Sequence, residues 1–469
     1  MGQYRGANIV KDGLVLNLDA GSQRSFRNIS DPCEVLIVAG GGGGGVGSNG
    51  GGGGGAGGVI YLPSFTPSAI ADTTVTVGGG GSGSTGRGSG TNGSNSSVGL
   101  AGTAIGGGRG GGHANNGGST SPNTGGSGGG ASYSTQGAAG TSGQGNSGGS
   151  GAIYLNLPVA RDSGGGGGGA GGAGANGQGS NGGGGAGGIG ILSDISGTPT
   201  YYAGGGAGAT NDMNTRAIGG LGGGGNGATP ATKNGDNGGI NTGSGGGGGN
   251  GGGGNSGAGG SGIVIIRYKG PVKATGGTIT SVGGYTIHTF TSNGTFARTN
   301  KWYDLSGNDN HVSMNNSVIN SVWSNGAFPL NGSYGFTSTD PPTREQYCTV
   351  VMVYKTSDTQ ELWVRGQSGS YYIAASNNNN YYDERSGDPA YYVDTLATTN
   401  PNTPIEYKDN EYHMWEAKRV DFSDWTTMNW FLYGGSWNLT GTVKKIMVYN
   451  RSLTAAESLQ NYNALKSRF

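Results

Sequence analysis

The chain has 469 residues, 113 of them glycine, and its 26 basic and 26 acidic side chains make up only 11 % of it. Charge this balanced and sparse leaves no electrostatic footprint for nucleic acid or anionic lipid, and 14 prolines without a G-X-Y period exclude collagen. Unbroken apolar runs of about five residues fall far short of the ~20 that span a bilayer, and two cysteines, Cys33 and Cys348, are too few for a disulfide framework.

Residues 1–10 are polar and show no signal-peptide apolar region. Residues 13–20 alternate, which predicts a strand with Leu14, Leu16 and Leu18 on one face. Asp31-Pro32 then breaks the chain. A pure apolar strand over 35–39 runs straight into Gly40, and Gly262 feeds a second one over 263–268. Between them lie glycine runs at 40–45, 50–55, 164–169, 245–249 and 251–254, with apolar punctuation at 59–62, 75–77, 153–155, 189–192 and 201–202.

Glycine has no side chain to bury and loses the most backbone entropy on ordering, so an ordinary core cannot form from these runs. They are either a flexible spacer or a body built from backbone. A spacer has no reason to be framed by two β-branched strands, and runs recurring at intervals point to repeated passes of one architecture. Polyproline-II-type helices have three residues per turn and no internal hydrogen bonds, so their polar groups must pair with neighbouring chains. A helix surrounded on all sides needs glycine throughout, whereas one at an edge can carry Ala, Asn or Ser outward. The five glycine runs are expected to be surrounded helices, each six-residue pass spanning roughly 18 Å.

After the tract, Ile287-His288-Thr289 alternates as in a strand, which puts His288 toward solvent. Aromatic and β-branched strands follow at 349–354, 361–364, 413–418, 430–433 and 443–449, separated by Gly/Asn/Asp/Pro turns, the pattern of a β-sandwich. Thr454 as N-cap and Glu457 three residues on predict a capping box and a short C-terminal helix.

Val-Leu-Ile-Val-Ala running into Gly40–Gly45, and Gly-Ser-Gly-Ile-Val-Ile-Ile-Arg-Tyr ending at Tyr268, resemble the glycine-rich domain of bacteriophage tail-fibre and adhesin proteins. That resemblance implies packed polyglycine-II helices in a sandwich whose end loops contact the host receptor. The stretch 274–296 is similar to a strand pair flanking such modules in phages of marine bacteria. Residues 13–20, 302–311 and 445–462 together resemble the laminin-G-like/concanavalin-like jelly-roll family, which implies two outer strands of one domain closed by a short helix; 320–440 matches it loosely. The fold expected is therefore all-β: a discontinuous concanavalin/laminin-G-like β-sandwich over 1–29 and 298–469, with an inserted polyglycine-II sandwich and its bracketing strands over 30–297.

What the resemblance implies is a phage virion protein, assembled in the host cytoplasm and carried on the particle. It would bind a host glycan or outer-membrane protein as an adhesin; the alternative is a purely structural capsid-decoration or tail-assembly component. Other virion proteins are expected partners, and a homo-oligomer is expected, a trimer favoured. Nucleic acid and membrane insertion are not expected.

Candidate contacts are aromatic residues in loops between glycine runs: Tyr61, Phe65, Tyr133, Tyr154, Tyr201 and Tyr202. Tyrosine pairs at 371–372, 381–382 and 391–392 recur every ten residues. In a meander Tyr372, Tyr382 and Tyr392 would form a ladder for sugar faces; ordinary cross-strand aromatic packing is the other reading. Asp304, Asn308 and Asp309, with Asp19 as a distant helper, are oxygen ligands of the kind calcium takes, or Asx turns shaping a tight loop. No other cofactor is expected: His113, His288, His311 and His413 lack zinc-site spacing. The sequence lacks an E-x-D-x-E strand of glycosidase carboxylates, a G-x-S-x-G elbow and a glycine run followed by Lys-Ser/Thr, so no enzymatic activity is expected.

Overall fold

A computed structural model describes residues 8–20, 22, 32–48, 50–67, 72–113, 119–154, 161–179, 183–210, 215–298, 301–314, 327–331, 336–338, 340–356, 362–365, 372–375, 381–384, 387–394, 396–397, 411–430 and 440–468. Among the described residues the protein is all-β apart from one C-terminal α-helix and short 3-10 turns. It forms two compact units, one of Ile29–Ser68 and Asp72–Ala297, the other of Met1–Asn28, Ala69–Ala71 and Arg298–Phe469.

In the glycine-rich unit the backbone is the cement. Along residues 40–45, successive N–H groups donate in turn to three different neighbouring segments. Gly40 and Gly43 bond Ser94 and Thr91, Gly41 and Gly44 bond Gly260 and Gly257, and Gly42 and Gly45 bond Gly55 and Gly52, all at 2.8–3.0 Å. The carbonyls rotate in the same way: Gly40 and Gly43 accept from Gly107 and Gly110, Gly42 and Gly45 from Gly246 and Gly249, and Gly41 from Gly81. A repeat of three with no internal bonds is the polyproline-II helix, here ringed by six neighbours. Residues 51–56, 164–169 and 245–249 are enclosed likewise. A Cβ on Gly42 would lie 2.2 Å from the Gly108 carbonyl oxygen, and one on Gly53 2.1 Å from that of Gly206. Only glycine fits.

Residues 251–254 differ from this expectation. They form a reversal in which Gly253 has φ +92 and residues 252 and 253 are exposed. The chain must turn between two antiparallel passes, and glycine there serves φ rather than close packing.

Edge segments close themselves with asparagine. Asn92 and Asn95, three residues apart and exposed, accept from the N–H groups of Arg109 (3.0 Å) and Gly106 (2.8 Å). Asn234 and Asn237 do the same for Asn255 (2.8 Å) and Ala258 (2.9 Å). Each amide oxygen stands where a further segment's carbonyl would be.

The strand entering the lattice, Cys33–Val38, pairs antiparallel with the strand leaving it, Ile263–Lys269. Together with Val59–Phe65, Tyr285–Phe290 and Thr278–Val282 they make a five-stranded sheet. Their unbroken apolar runs follow from burial of both faces. Val35, Ile37, Val264 and Ile266 pack with Val75, Val98 and Phe296, while Leu36, Val38 and Ile265 pack with Ala56, Ile195 and Tyr202.

His288 lies inside this packing, correcting the solvent-facing expectation. It is fully buried, with Nε2 3.0 Å from the Tyr268 hydroxyl and Nδ1 2.8 Å from the Gly276 carbonyl. Two polar partners satisfy the ring, which is what permits burial, and burial lowers its pKa.

In the second unit two seven-stranded sheets face each other. The first contains Leu14–Asp19, Cys348–Lys355, Tyr412–Val420 and Thr440–Tyr449; the second contains Lys301–Trp302, Phe336–Ser338 and Met428–Trp430. Their shared core holds Leu16, Leu18, Val350, Met352, Trp415 and Ile446 from one side and Trp302, Phe336 and Trp430 from the other. Leu14 does not join Leu16 and Leu18: a register shift between Leu14 and Leu16 accompanies its move to the opposite face, where it pairs with Tyr449 and packs against the cluster that contains Leu465. That outer face is covered by the helix Ala455–Leu465, whose capping box at Thr454 and Glu457 forms as the sequence predicts.

Candidate recognition site

The glycine-rich unit has two ends, fixed by the direction of each pass. Residues 40–45 leave the five-stranded sheet and residues 50–58 return to it antiparallel. Following these registers, the hairpins Gly112–His113/Ser119–Thr120 and Ala152–Tyr154/Arg161–Ser163 cap the end away from the sheet. The hairpin Ile191–Ser193/Thr200–Tyr202 lies at the sheet end.

The sequence candidates therefore divide. Tyr133 and Tyr154 sit at the far end. Tyr133, in a turn with φ 55, stacks on His113 at 5.4 Å, and His113 Nδ1 lies 2.7 Å from Ser48 Oγ. Tyr154 ends a short strand, and its side chain lies outside the described residues. At the sheet end, Tyr61 is 47 % exposed and Tyr201 is exposed. Phe65 is half-buried against the sheet. Tyr202 is buried with Ile195 and Ile265, so it is core rather than contact. Adjacent strand residues point to opposite faces, and only Tyr201 of this pair faces out.

A cleft of about 440 Å³ opens at this end. Val59 and Ala170 line it with Tyr61 and Ile191, and Gln144 and Asn146 contribute amides. The Tyr61 hydroxyl donates to Glu34 Oε2 at 2.8 Å. Glu34 is held in turn by Arg267, Nε to Oε1 at 3.1 Å and Nη2 to Oε2 at 2.6 Å, and the guanidinium lies 4.9 Å over the Tyr285 ring. Burial, then the Glu34 bond, raise the Tyr61 pKa, so the phenol stays protonated. The fork-to-carboxylate geometry locks the tyrosine's orientation. Gln144 bonds the Ile105 amide and the Thr103 carbonyl. Asn146 donates to the Gly169 and Ala170 carbonyls, leaving its Oδ1 without a protein donor among the described residues. A pre-set aromatic ring, apolar walls and an open amide acceptor can take a sugar ring or a short peptide. Sequence reasoning singled out Tyr61 but missed Glu34 and Arg267, whose only signal is opposite charge on the two bracketing strands.

The other unit holds the remaining candidates. The strands Tyr372–Ala375 and Tyr381–Glu384 are neighbours in one sheet, but Gly387–Val393 belongs to the opposite sheet. The three tyrosine pairs therefore do not form one ladder. Tyr372 registers with Glu384 and Tyr382 with Ala374; the side chains of both tyrosines lie outside the described residues. Tyr391 is core, and Tyr392 is half-buried with Lys418 Nζ 4.5 Å over its ring. Asp304 accepts from the backbone N–H groups of Asn17, Ser306 and Asn310 and from the Ser306 hydroxyl, at 2.6–3.1 Å. This is the bonding of an Asx turn that ties the loop to the strand Leu14–Asp19. Asn308 donates to the Leu14 carbonyl, and Asp309 is exposed with φ 58. Asp19 is engaged by Lys445 at 2.8 Å.

No curated protein and no solved structure matches the chain. A family model described as a glycine-rich domain matches residues 22–269, more than half of the sequence. The match takes in every enclosed helix described above and ends on the last residue of the exit strand. By its lattice and by this match, the chain belongs to the glycine-rich domain family.

Proposed function

We propose that the protein is a bacteriophage virion component of the tail-fibre or adhesin type, and that it recognises a host-surface glycan or outer-membrane receptor through the sheet-end loops of its glycine-rich unit. The second unit would serve as a laminin-G-like jelly roll into which that unit is inserted. The observation that carries the reading is the Tyr61 cleft. An exposed ring held by the Glu34–Arg267 pair projects from a scaffold whose backbone bonds leave little freedom, and rigid scaffolds commonly position binding loops. Contacts this shallow are individually weak and gain from several copies on one particle.

The test is binding of the purified chain to surface polysaccharide and outer-membrane fractions of candidate host bacteria. Tyr61→Ala is expected to weaken binding about tenfold, roughly 1.4 kcal/mol, with the unfolding midpoint of the unit unchanged. Failure of the intact chain to bind any fraction, combined with its location on the capsid by immunogold microscopy, would favour the purely structural role.

A further inference from the structure

One lateral edge of the glycine lattice is built unlike those that asparagine closes. Where Asn92, Asn95, Asn234 and Asn237 close the polar edges, the passes through residues 183–192 and 217–225 carry no polar side chain at all. Their side chains other than glycine are apolar and fall mainly at the three-residue repeat: Ala186, Ile189 and Leu192 on one pass, Ile218 and Leu221 on the other. The passes are neighbours, since Gly187 N bonds Ile218 O at 3.0 Å and Gly190 N bonds Leu221 O at 2.8 Å. Ile189 is 42 % exposed, Leu192 56 %, Ile218 70 % and Leu221 58 %. The patch continues to Ile240, 78 % exposed, because Gly239 N bonds Gly223 O on the next pass.

The backbone of this edge is open as well. Among the described residues, the N–H groups of Ala186, Ile189 and Ile218 have no acceptor. Ala186 and Ile189 are one helical turn apart, so their N–H groups point the same way. A contiguous apolar patch of this kind marks an interaction surface, and unpaired backbone donors along an edge are a template for another chain.

The chemistry of the edge narrows the occupant. It needs apolar side chains and a row of backbone carbonyls at a three-residue spacing, which is what the edge of another glycine lattice offers. Membrane-surface segments carry Lys or Arg beside their apolar face. Neither pass contains one, and the flanking Arg216 is held by Asp236 at 2.6 Å. We infer that this edge is a self-association interface, covered by the same edge of a second copy of the chain, so that the hydrogen-bonded lattice continues across the contact. Closed symmetry of that kind pairs one patch with itself, and the lattice already accommodates both parallel and antiparallel neighbours.

Sedimentation velocity of the full chain across a range of concentrations tests this. The wild type is expected to associate reversibly. Ile218→Asn with Leu221→Asn, which copies the sealed edges at exposed positions, is expected to weaken association about tenfold or more without moving the unfolding midpoint. Ile240→Asn provides a second variant should the pair reduce stability. Amide exchange at Ile189 and Ile218 is expected to slow as concentration rises. A wild type that stays monomeric at every concentration overturns the inference. So does association that survives both variants, or a monomer that instead floats with phosphatidylcholine vesicles.

Discussion

Gly53→Ala probes the backbone lattice at an enclosed position. The new Cβ would lie 2.1 Å from the Gly206 carbonyl oxygen and 2.6 Å from its carbon, where ordinary contact begins at 3.4 Å. The two segments must therefore part by more than an ångström. That movement pulls on Gly206 N to Gly54 O (2.9 Å) and Gly167 N to Gly206 O (2.8 Å), and Gly53 itself is tied to Gly165 and Gly130. Overpacking costs about 1–3 kcal/mol, and two weakened backbone bonds add about 1 kcal/mol each. The lower entropy of alanine in the unfolded chain returns about 0.4–1 kcal/mol. The expected net loss is about 2–5 kcal/mol, a fall of about 4–20 °C in the unit's unfolding midpoint at the slope usual for a domain of this size. Gly79→Ala is the control, because nothing lies within 4 Å of its Cβ position and its φ is not in the left-handed region; it should be neutral or stabilise by about 0.4–1 kcal/mol. Calorimetry resolving the two units, with amide exchange over residues 40–58, measures both. If Gly53→Ala is no worse than Gly79→Ala, side-chain volume is not what restricts these positions, and a backbone-packed lattice is the wrong description.

Two further outcomes follow from the same unit. Asn95→Ala strands the Gly106 N–H at a half-buried edge and should cost about 1 kcal/mol, whereas Asn95→Asp keeps the acceptor and should cost less; chemical denaturation distinguishes them. His288 has its pKa lowered by burial below the ordinary 6.5, against the opposing bond to Gly276. The unfolded chain then binds the proton more readily, so the contribution of His288 is complete above pH 6.5 and is lost as pH falls below it. The unit's midpoint should drop between pH 7 and pH 5, and His288→Gln should flatten that slope.

The fold was legible where one physical demand admits one residue type. Five apolar residues running into six glycines announce a strand and a helix enclosed on all sides, and both are found at residues 35–45. The Thr454–Glu457 box is local and was equally plain. What failed depends on partners distant in sequence. Residues 251–254 have the same composition as 245–249, and only the sign of φ at Gly253 separates a reversal from a pass. Leu14 leaves its face at a register shift in its pairing with the strand of Tyr449, more than 400 residues away. Tyr201 and Tyr202 are indistinguishable until the hairpin chooses which one faces Ile195. His288 sits in an alternating strand, but the strand is covered on both sides and Tyr268 and Gly276 supply the bonds that make burial tolerable.

The candidate site was half legible for a related reason. Inside the lattice every direction around a pass is taken by a neighbour's backbone, so sequence there is constrained to glycine and carries no recognition. Side chains have two places to act, the turns at either end and the outer edges. The aromatic residues in the turns could be singled out as candidates from composition alone, without showing which of them, such as Tyr202, would be buried. The edges could not, because assigning Asn92 and Asn95 to a closed edge, and Ile218 and Leu221 to an open one, requires knowing which pass lies beside which. A three-residue spacing of asparagine among glycines is thus a signal of a sealed edge, and the same spacing of isoleucine and leucine a signal of an unsealed one. Substitutions at those two kinds of position should leave the lattice standing while changing what it meets.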